Sequence, residues 1–428
     1  MLKEPALMDM EGACYKWAGI HNSSDGEGKL KVYLIHILDM QSQIGGVVRV
    51  RELARSLARR GLEVEIVCPA SDKGAQSEPY QVKYLFAPRR SRAIRGLLYE
   101  LFLFFYLISR REVWTRSCLI YVRRATLLLA PLLVSRLFGL TSVVEENGFG
   151  ADFFVSDQDS KWVKMRSRIL TTIQALSYRL ASVIVTVSSG QMQYLKDEFG
   201  LAAHKVKLIP NGVDTDIFRP LDKGHCRQKL GLDTKAWYIC FVGCFYAARG
   251  LRYLIQALPS LREHDSHVKV LLVGDGPERN NLESLAENLG VLDSVIFTGA
   301  VEYECVPSYT GASDVCIAPY DQTYANGVSL SPLKLYTYMA CGRPVVLSDI
   351  PVEVDPLDKE QFALVFPPED VSALSAAIIR LLDNPSLAEE MGQYARSVAE
   401  KHTWDHSAAK ILDALTHQED MHENRSCN

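Results

Sequence analysis

Pro210-Asn211-Gly212-Val213-Asp214, running on to Pro220, interrupts an otherwise regular sequence. Before it, short β-branched runs alternate with helical segments from Lys31 onward; after it the alternation starts again at Trp237. Pro, Asn and Gly in this order make a turn and a linker, and alternating strands and helices are the pattern of parallel α/β units. The chain therefore divides into two α/β domains of similar size, each doubly wound: 29–212 and 213–403, behind a polar extension at 1–28 and ahead of a polar, mobile tail at 417–428. Strands are predicted in the first at Lys31–Leu38, Glu63–Pro69, Val82–Ala87, Leu119–Arg123, Ser142–Glu146, Val183–Ser188 and Val206–Pro210. The second has them at Trp237–Val242, Val268–Val273, Val295–Thr298, Val315–Ala318, Pro344–Ser348 and Leu364–Pro367.

Composition agrees with two globular domains. The 428 residues exceed one core at about 150 residues per domain, and 48% hydrophobic with 23% charged residues excludes disordered, collagen-like and coiled-coil chains. No apolar run reaches the ~18 residues of a membrane span. Met1–Gly28 is polar and acidic, without the basic-then-apolar order of a secretory signal. The ten cysteines are scattered through apolar stretches and read as reduced and cytosolic. Net charge is −4, yet Lys83–Arg136 holds eleven Lys and Arg against Glu100 and Glu112. That stretch is +9 and the remainder −13, which argues against general nucleic-acid binding and for a local anionic partner.

In open parallel sheets ligands bind at the carboxyl ends of the strands, where helix N-termini present free N–H groups to anions. Gly45-Gly46 follows the first strand and opens a helix, so its bare backbone suits a close approach by a ligand; two glycines alone are equally a tight turn. In the second domain, strand Trp237–Val242 runs into Gly243 and reaches Arg249-Gly250 at the start of a helix, where a guanidinium can grip a phosphate bidentately; a solvated arginine is the common alternative. Ser331-Pro332-Leu333-Lys334-Leu335-Tyr336-Thr337-Tyr338-Met339-Ala340-Cys341-Gly342 reads as a helix with Pro332 in its first turn and Gly342 at its end. Lys334 there opposes the helix dipole unless an anion lies between them, so a bound phosphate explains it better than helix stability does. Cys240 and Cys244 lack the further ligands a zinc site needs.

These segments together resemble the family-4 retaining glycosyltransferases of the GT-B fold. The resemblance is carried by Gly45-Gly46, Ile209-Pro210-Asn211-Gly212-Val213-Asp214, Phe241-Val242-Gly243 with Arg249-Gly250, Gly274-Asp275-Gly276-Pro277, Pro332-Leu333-Lys334-Leu335 and Arg343-Pro344-Val345-Val346. They occur in family order over Lys31 to Leu415. It implies two Rossmann-like domains facing a cleft, with a final helix at 404–416 crossing back to the first. It also implies a nucleotide-sugar donor, UDP favoured over GDP on family grounds, held by Gly45, Gly46, Gly243, Arg249, Ser329, Leu330, Ser331, Lys334 and Thr337. Arg249 and Lys334 would be catalytic, taking the diphosphate charge, and neither metal nor other cofactor is implied. Glu146, Asn147 and Arg123 are assigned to the hydroxyl acceptor, a glycan or lipid-linked precursor.

The sequence departs from the family at Ser329 and Thr337, which stand where two glutamates eight positions apart are usual; no glutamate lies between Glu304 and Glu353. The second glutamate ordinarily accepts from the nucleotide ribose, so a catalytically weak paralogue acting as a binding subunit is the competing reading. An epimerase on the same fold would need acid–base groups that cannot be placed. Within residues 88–111 the run Leu97–Ile108 is apolar except for Glu100, between Arg89, Arg90, Arg92 and Arg95 on one side and Arg110 and Arg111 on the other. It is too short to span a bilayer but suited to lie on an anionic one, the alternative being a core helix with basic ends. The activity is therefore expected in the cytoplasm, at the inner face of a membrane.

Overall fold

The computed structural model describes residues 30–37, 40, 45–69, 79–85, 92–123, 128–147, 161–325, 330–353 and 359–426. The extension at 1–28, Arg89, Arg90 and Ser329 lie outside them.

Two wholly parallel sheets form. The first joins β1 (Lys31–Ile35), β2 (Glu63–Pro69), β3 (Gln81–Leu85), β4 (Cys118–Arg123), β5 (Ser142–Glu146), β6 (Val183–Thr186) and β7 (Val206–Leu208) in the order 3-2-1-4-5-6-7. The second joins β8 (Trp237–Val242), β9 (Val268–Val273), β10 (Val295–Gly299), β11 (Val315–Ala318), β12 (Val345–Ser348) and β13 (Ala363–Phe366) in the order 10-9-8-11-12-13. Strands buried on both faces explain the near-continuous apolar runs. In β4, Leu119 and Tyr121 enter one core while Cys118, Ile120 and Val122 enter the core on the opposite face. Winding reverses between β1 and β4 and again between β8 and β11, and each reversal opens a crevice at the strand carboxyl ends.

The chain passes between units twice, and the two crossings are paired. Val213 bridges Thr403, and its N–H donates to the His402 carbonyl at 2.9 Å. Gly212 is required by this approach, because a Cβ there would lie 2.6 Å from the Thr403 carbonyl carbon. Beyond the crossing, helix Trp404–Ser426 returns to the first unit. Its Ala408, Ile411, Ala414 and Leu415 share a core with Val47, Val50, Leu53 and Leu57 of helix Gly45–Arg59. The helix runs past the expected end at 416, so the backbone of 417–426 is helical.

Two other differences have local causes. Helix Ala130–Phe138 begins only after Leu128 and Leu129 of the same apolar run, where Pro131 fits the first turn and the Glu100 carboxylate accepts from the N–H groups of Leu129 (3.1 Å) and Ala130 (2.7 Å). Four short helices, Arg111–Trp114, Lys223–Leu230, Val306–Ala312 and Gln322–Ala325, were not evident from periodicity. Two turns or fewer give little pattern; Lys223–Leu230, for instance, is fixed by an Asp222 cap on the His225 N–H at 2.6 Å.

Candidate functional site

At the reversal between β8 and β11 the polypeptide leaves β8 through Gly243 and makes a 3-10 turn, Ala247–Arg249. Gly250 closes that turn at φ 69°, pressed so closely on the loop after β11 that a Cβ would lie 1.7 Å from the Pro319 carbonyl oxygen. Arg249 is thereby brought to Tyr320, its Cζ 5.2 Å from the ring centroid. Lys334, in the first turn of helix Leu333–Ala340, reaches the same ring. Its Nζ lies 5.4 Å from the Tyr320 centroid, 3.6 Å from that of Phe241, and 3.5 Å from where a Cβ on Gly243 would sit.

The Lys334 ammonium end is fully enclosed and has no hydrogen-bond partner among the described residues. Burial first, and the neighbouring Arg249 charge second, push its pKa well below the ordinary 10.5. An enclosed cation beside a second cation is unfavourable unless an anion joins them. Aromatic faces offset part of that cost, but they form no hydrogen bonds. Thr337 does not offer its hydroxyl to the cleft: Oγ1 donates to the Lys334 carbonyl at 2.8 Å, one turn back on its own helix. Pro332 is the helix's N-cap residue, one position earlier than expected.

The first unit builds a different cluster around Glu145 at the end of β5. Its carboxylate accepts from Arg49 Nε (2.9 Å), Arg123 Nε (3.0 Å), the Tyr121 hydroxyl and the Asn147 side-chain amide. Burial pushes Glu145 up, but Arg49 and Arg123 outweigh it and hold the carboxyl at about 2. Arg123 also meets His36 Nε2 at 2.9 Å, and its Nη1 lies 2.9 Å from where a Cβ on Gly46 would be. Arg123 and Asn147, both assigned from sequence to the acceptor, are thus brought together beside the Gly45-Gly46 turn. Glu146 is not. It is buried on the opposite face of the sheet, where it accepts from Tyr178 at 3.1 Å and Gln174 at 3.5 Å.

Glu145, Arg49, His36 and Tyr320 were not singled out from sequence. A signal was present for the first two. Strand alternation puts Glu145 and Glu146 on opposite faces, and Arg49 interrupts the apolar run Val47-Val48-Arg49-Val50, as a buried ion pair does.

The two clusters meet at the crossing. Arg49 Nη1 donates to Asn211 Oδ1, Asn211 N–H donates to Ser331 Oγ at 3.1 Å, and the Asn211 amide donates to the Ser331 carbonyl. Leu330 bridges Val352. Glu353 accepts from the N–H and hydroxyl of Ser189 at 2.9 and 2.7 Å, capping a first-unit helix from the second unit. A Cβ on Gly45 would sit 3.1 Å from Leu333 Cδ1, so the glycine turn and the Lys334 helix are adjacent.

Two family models match this chain: "Glycosyltransferase Family 4" over residues 44–217 and "Glycosyl transferases group 1" over 222–398. A Mycobacterium tuberculosis GDP-mannose-dependent alpha-(1-6)-phosphatidylinositol monomannoside mannosyltransferase is 30% identical over 54% of this chain. That alignment covers 61% of the relative, so the chain spans about six tenths of the curated relative's length. Among solved structures, sucrose-phosphate synthase from Thermosynechococcus elongatus superposes with TM-score 0.71 at 20% identity, over 94% of this chain and 100% of that one. HepE from Anabaena in complex with UDP-glucose gives 0.68 at 17%, over 93% and 100%. These structures establish the fold as GT-B. With one model on each side of the crossing, the chain belongs to the family-4 glycosyltransferases.

Proposed function

We propose that this chain transfers a sugar from a nucleotide-sugar to a hydroxyl acceptor with retention of anomeric configuration. One observation carries the proposal: an enclosed Lys334 ammonium without a hydrogen-bond partner shares the Tyr320 ring with Arg249. A donor diphosphate between the two supplies the missing anion, each charge-assisted contact contributing about 1.5–3 kcal/mol. As the bond from sugar to phosphate breaks, the sugar becomes cationic and the departing diphosphate gathers negative charge, which the two side chains stabilise. The acceptor hydroxyl attacks on the side the diphosphate leaves, and a donor phosphate oxygen takes its proton, so no carboxylate nucleophile of the glycosidase kind is needed. In this scheme Arg249 and Lys334 do the work a metal would otherwise do. Gly45 and Gly46 form the opposing wall, and closure of the cleft keeps water from the donor.

The acceptor is assigned to the first unit, at the corner where Arg123 and Asn147 meet Glu145 beside Gly46. A lipid-linked or polysaccharide precursor, met at the cytoplasmic face of a membrane by 88–111, suits the basic and apolar character of that segment. Among the described residues no helix is long and apolar enough to cross a membrane. Family grounds favour UDP, while the mannosyltransferase relative is named for GDP-mannose, so a thermal-shift panel must include UDP, GDP and their common sugars. Selective stabilisation by one nucleotide, lost in Lys334→Ala, supports the proposal; no shift with any of them, or an unchanged shift in the variant, overturns it. The competing reading, a catalytically weak binding subunit, draws on Thr337, whose hydroxyl is spent within its own helix. It predicts nucleotide binding without product.

A further inference from the structure

Of the large hydrophobic side chains exposed among the described residues, most lie between Leu97 and Leu176, on one side of the first sheet. Helix Arg92–Ile108 has two apolar stripes. Tyr99, Leu103 and Leu107 are buried, while Leu97, Leu101 and Phe105, about 200° around the helix at 100° per residue, face outward with Leu97 73% exposed. Helix Ala130–Phe138 repeats the arrangement: Leu132 and Val134 point into the core, and Leu133 and Leu137 outward, the latter 71% exposed. In helix Lys161–Leu180, Gln174, Ser177 and Tyr178 are buried and Met165, Ile169 and Leu176 form the outer stripe. The middle helix packs against both others. Trp114, 65% exposed, lies edge-on to Phe138 at 4.7 Å and continues the surface.

A contiguous apolar surface on three neighbouring helices marks an interaction face. Among the described residues, the exposed charges of the three helices are basic. Arg111, Arg116, Arg136, Arg168 and Arg179 are exposed around it. Glu100 is the one acidic residue on the three helices, and its carboxylate is turned inward to cap the Ala130 helix. Outward leucine and phenylalanine ringed by arginine, on helices none of which is both long and apolar enough to span, is the arrangement of an interfacial anchor.

We propose that these three helices together, rather than segment 88–111 alone, form a docking face for an anionic lipid surface. The inference rests on the proposed transfer only for its purpose, which is to deliver a membrane-borne acceptor; vesicle binding is read without any donor or turnover. Trp114 serves as a built-in probe. With phosphatidylglycerol–phosphatidylcholine vesicles at low salt, the full chain should float with the lipid, and its tryptophan emission should shift to the blue, an effect absent in Trp114→Phe. Leu137→Glu and Ile169→Glu, on the two helices outside 88–111, should each lower partitioning by about tenfold, as should Leu97→Glu. Arg136→Gln should lower it about fivefold, and Leu292→Glu, an exposed leucine in the second unit, should leave it unchanged. All these positions are exposed, and circular dichroism verifies that each variant is folded. The proposal is overturned if the wild-type chain does not bind anionic vesicles, or if phosphatidylcholine alone binds as well. It is also overturned if only Leu97→Glu matters, or if the same substitutions instead dissolve a dimer seen by light scattering.

Discussion

The two halves of the molecule hold their buried polar groups in opposite ways. In the second, Arg249, Tyr320 and Lys334 converge at the reversal between β8 and β11, and one cation is left without a hydrogen-bond partner. In the first, Glu145 takes four donors from a helix, a strand and a strand end, and its charge is matched. Both clusters are buried and both are charged. What separates them is the anion: Lys334 has none among the described residues, whereas Arg49 and Arg123 share Glu145, although Arg49 Nη2 keeps no partner among the described residues. Burial of charge therefore does not by itself identify a ligand site; a buried cation without any carboxylate does.

The largest effect should come from breaking the Glu145 cluster. Glu145→Ala strands two buried guanidinium groups and should cost about 3–5 kcal/mol, measured by urea denaturation; a loss below about 1 kcal/mol would show that water reaches the cluster. The pH dependence has a definite sign. With its folded pKa at about 2 against an ordinary 4.5, Glu145 contributes stability fully above about pH 4.5, lost progressively as pH falls toward 2. Glu145→Gln should flatten that acid limb.

Lys334 should behave in the reverse sense. Lys334→Met keeps the stem's volume and removes an unmatched cation, so the empty protein should hold or gain stability while UDP or GDP binding weakens about 10- to 150-fold, read by calorimetry. Because burial and Arg249 lower its pKa, the unfolded chain holds more protons below pH 10.5, and the empty protein should lose stability as pH falls from there. A diphosphate favours the protonated amine, so nucleotide binding should take up protons below the ordinary lysine value of 10.5, and the variant should not. A destabilised Lys334→Met with unchanged nucleotide affinity would erase the contrast between the halves.

The same contrast explains what the sequence revealed. All thirteen strands were legible, the interior ones because doubly buried strands are short apolar runs with sharp ends, the edge strands β3, β7, β10 and β13 from their β-branched residues despite partial exposure. Arg249 was legible because it follows the end of β8 through one short turn, and Lys334 because Pro332 and Gly342 bound its helix, so local order places both. Glu145 was not: its partners come from positions 49, 121, 123 and 147, and only the β1–β4–β5 pairing brings them together. The outward stripe of helix Lys161–Leu180 was hidden for another reason, since an apolar face looks alike whether it meets core or solvent.

A smaller effect is expected at Thr337. Its hydroxyl serves only its helix in the described contacts, so Thr337→Glu should restore a ribose acceptor and tighten nucleotide binding about tenfold at most, by titration calorimetry. Weaker binding instead would mean that the pocket has closed over the shorter side chain.

The smallest effect tests whether the two halves communicate. Asn211 links the Glu145 cluster to the segment that leads into the Lys334 helix: Arg49, itself held by Glu145, donates to its Oδ1, and Asn211 in turn grips Ser331, two residues before that helix begins. Ser331→Ala removes the oxygen that accepts the Asn211 N–H and should cost about 1 kcal/mol, with Ser331→Thr restoring it. If the seam only glues the units together, urea stability falls and nucleotide affinity stays the same. If it sets the register between the Glu145 cluster and the Lys334 helix, Lys334 is displaced from Arg249 and affinity falls about fivefold, in step with the stability loss. Coupling of that kind should also appear as non-additivity with Arg49→Lys in a double-mutant cycle. Strict additivity would mean that Glu145 and Lys334 share a cleft but not a mechanism.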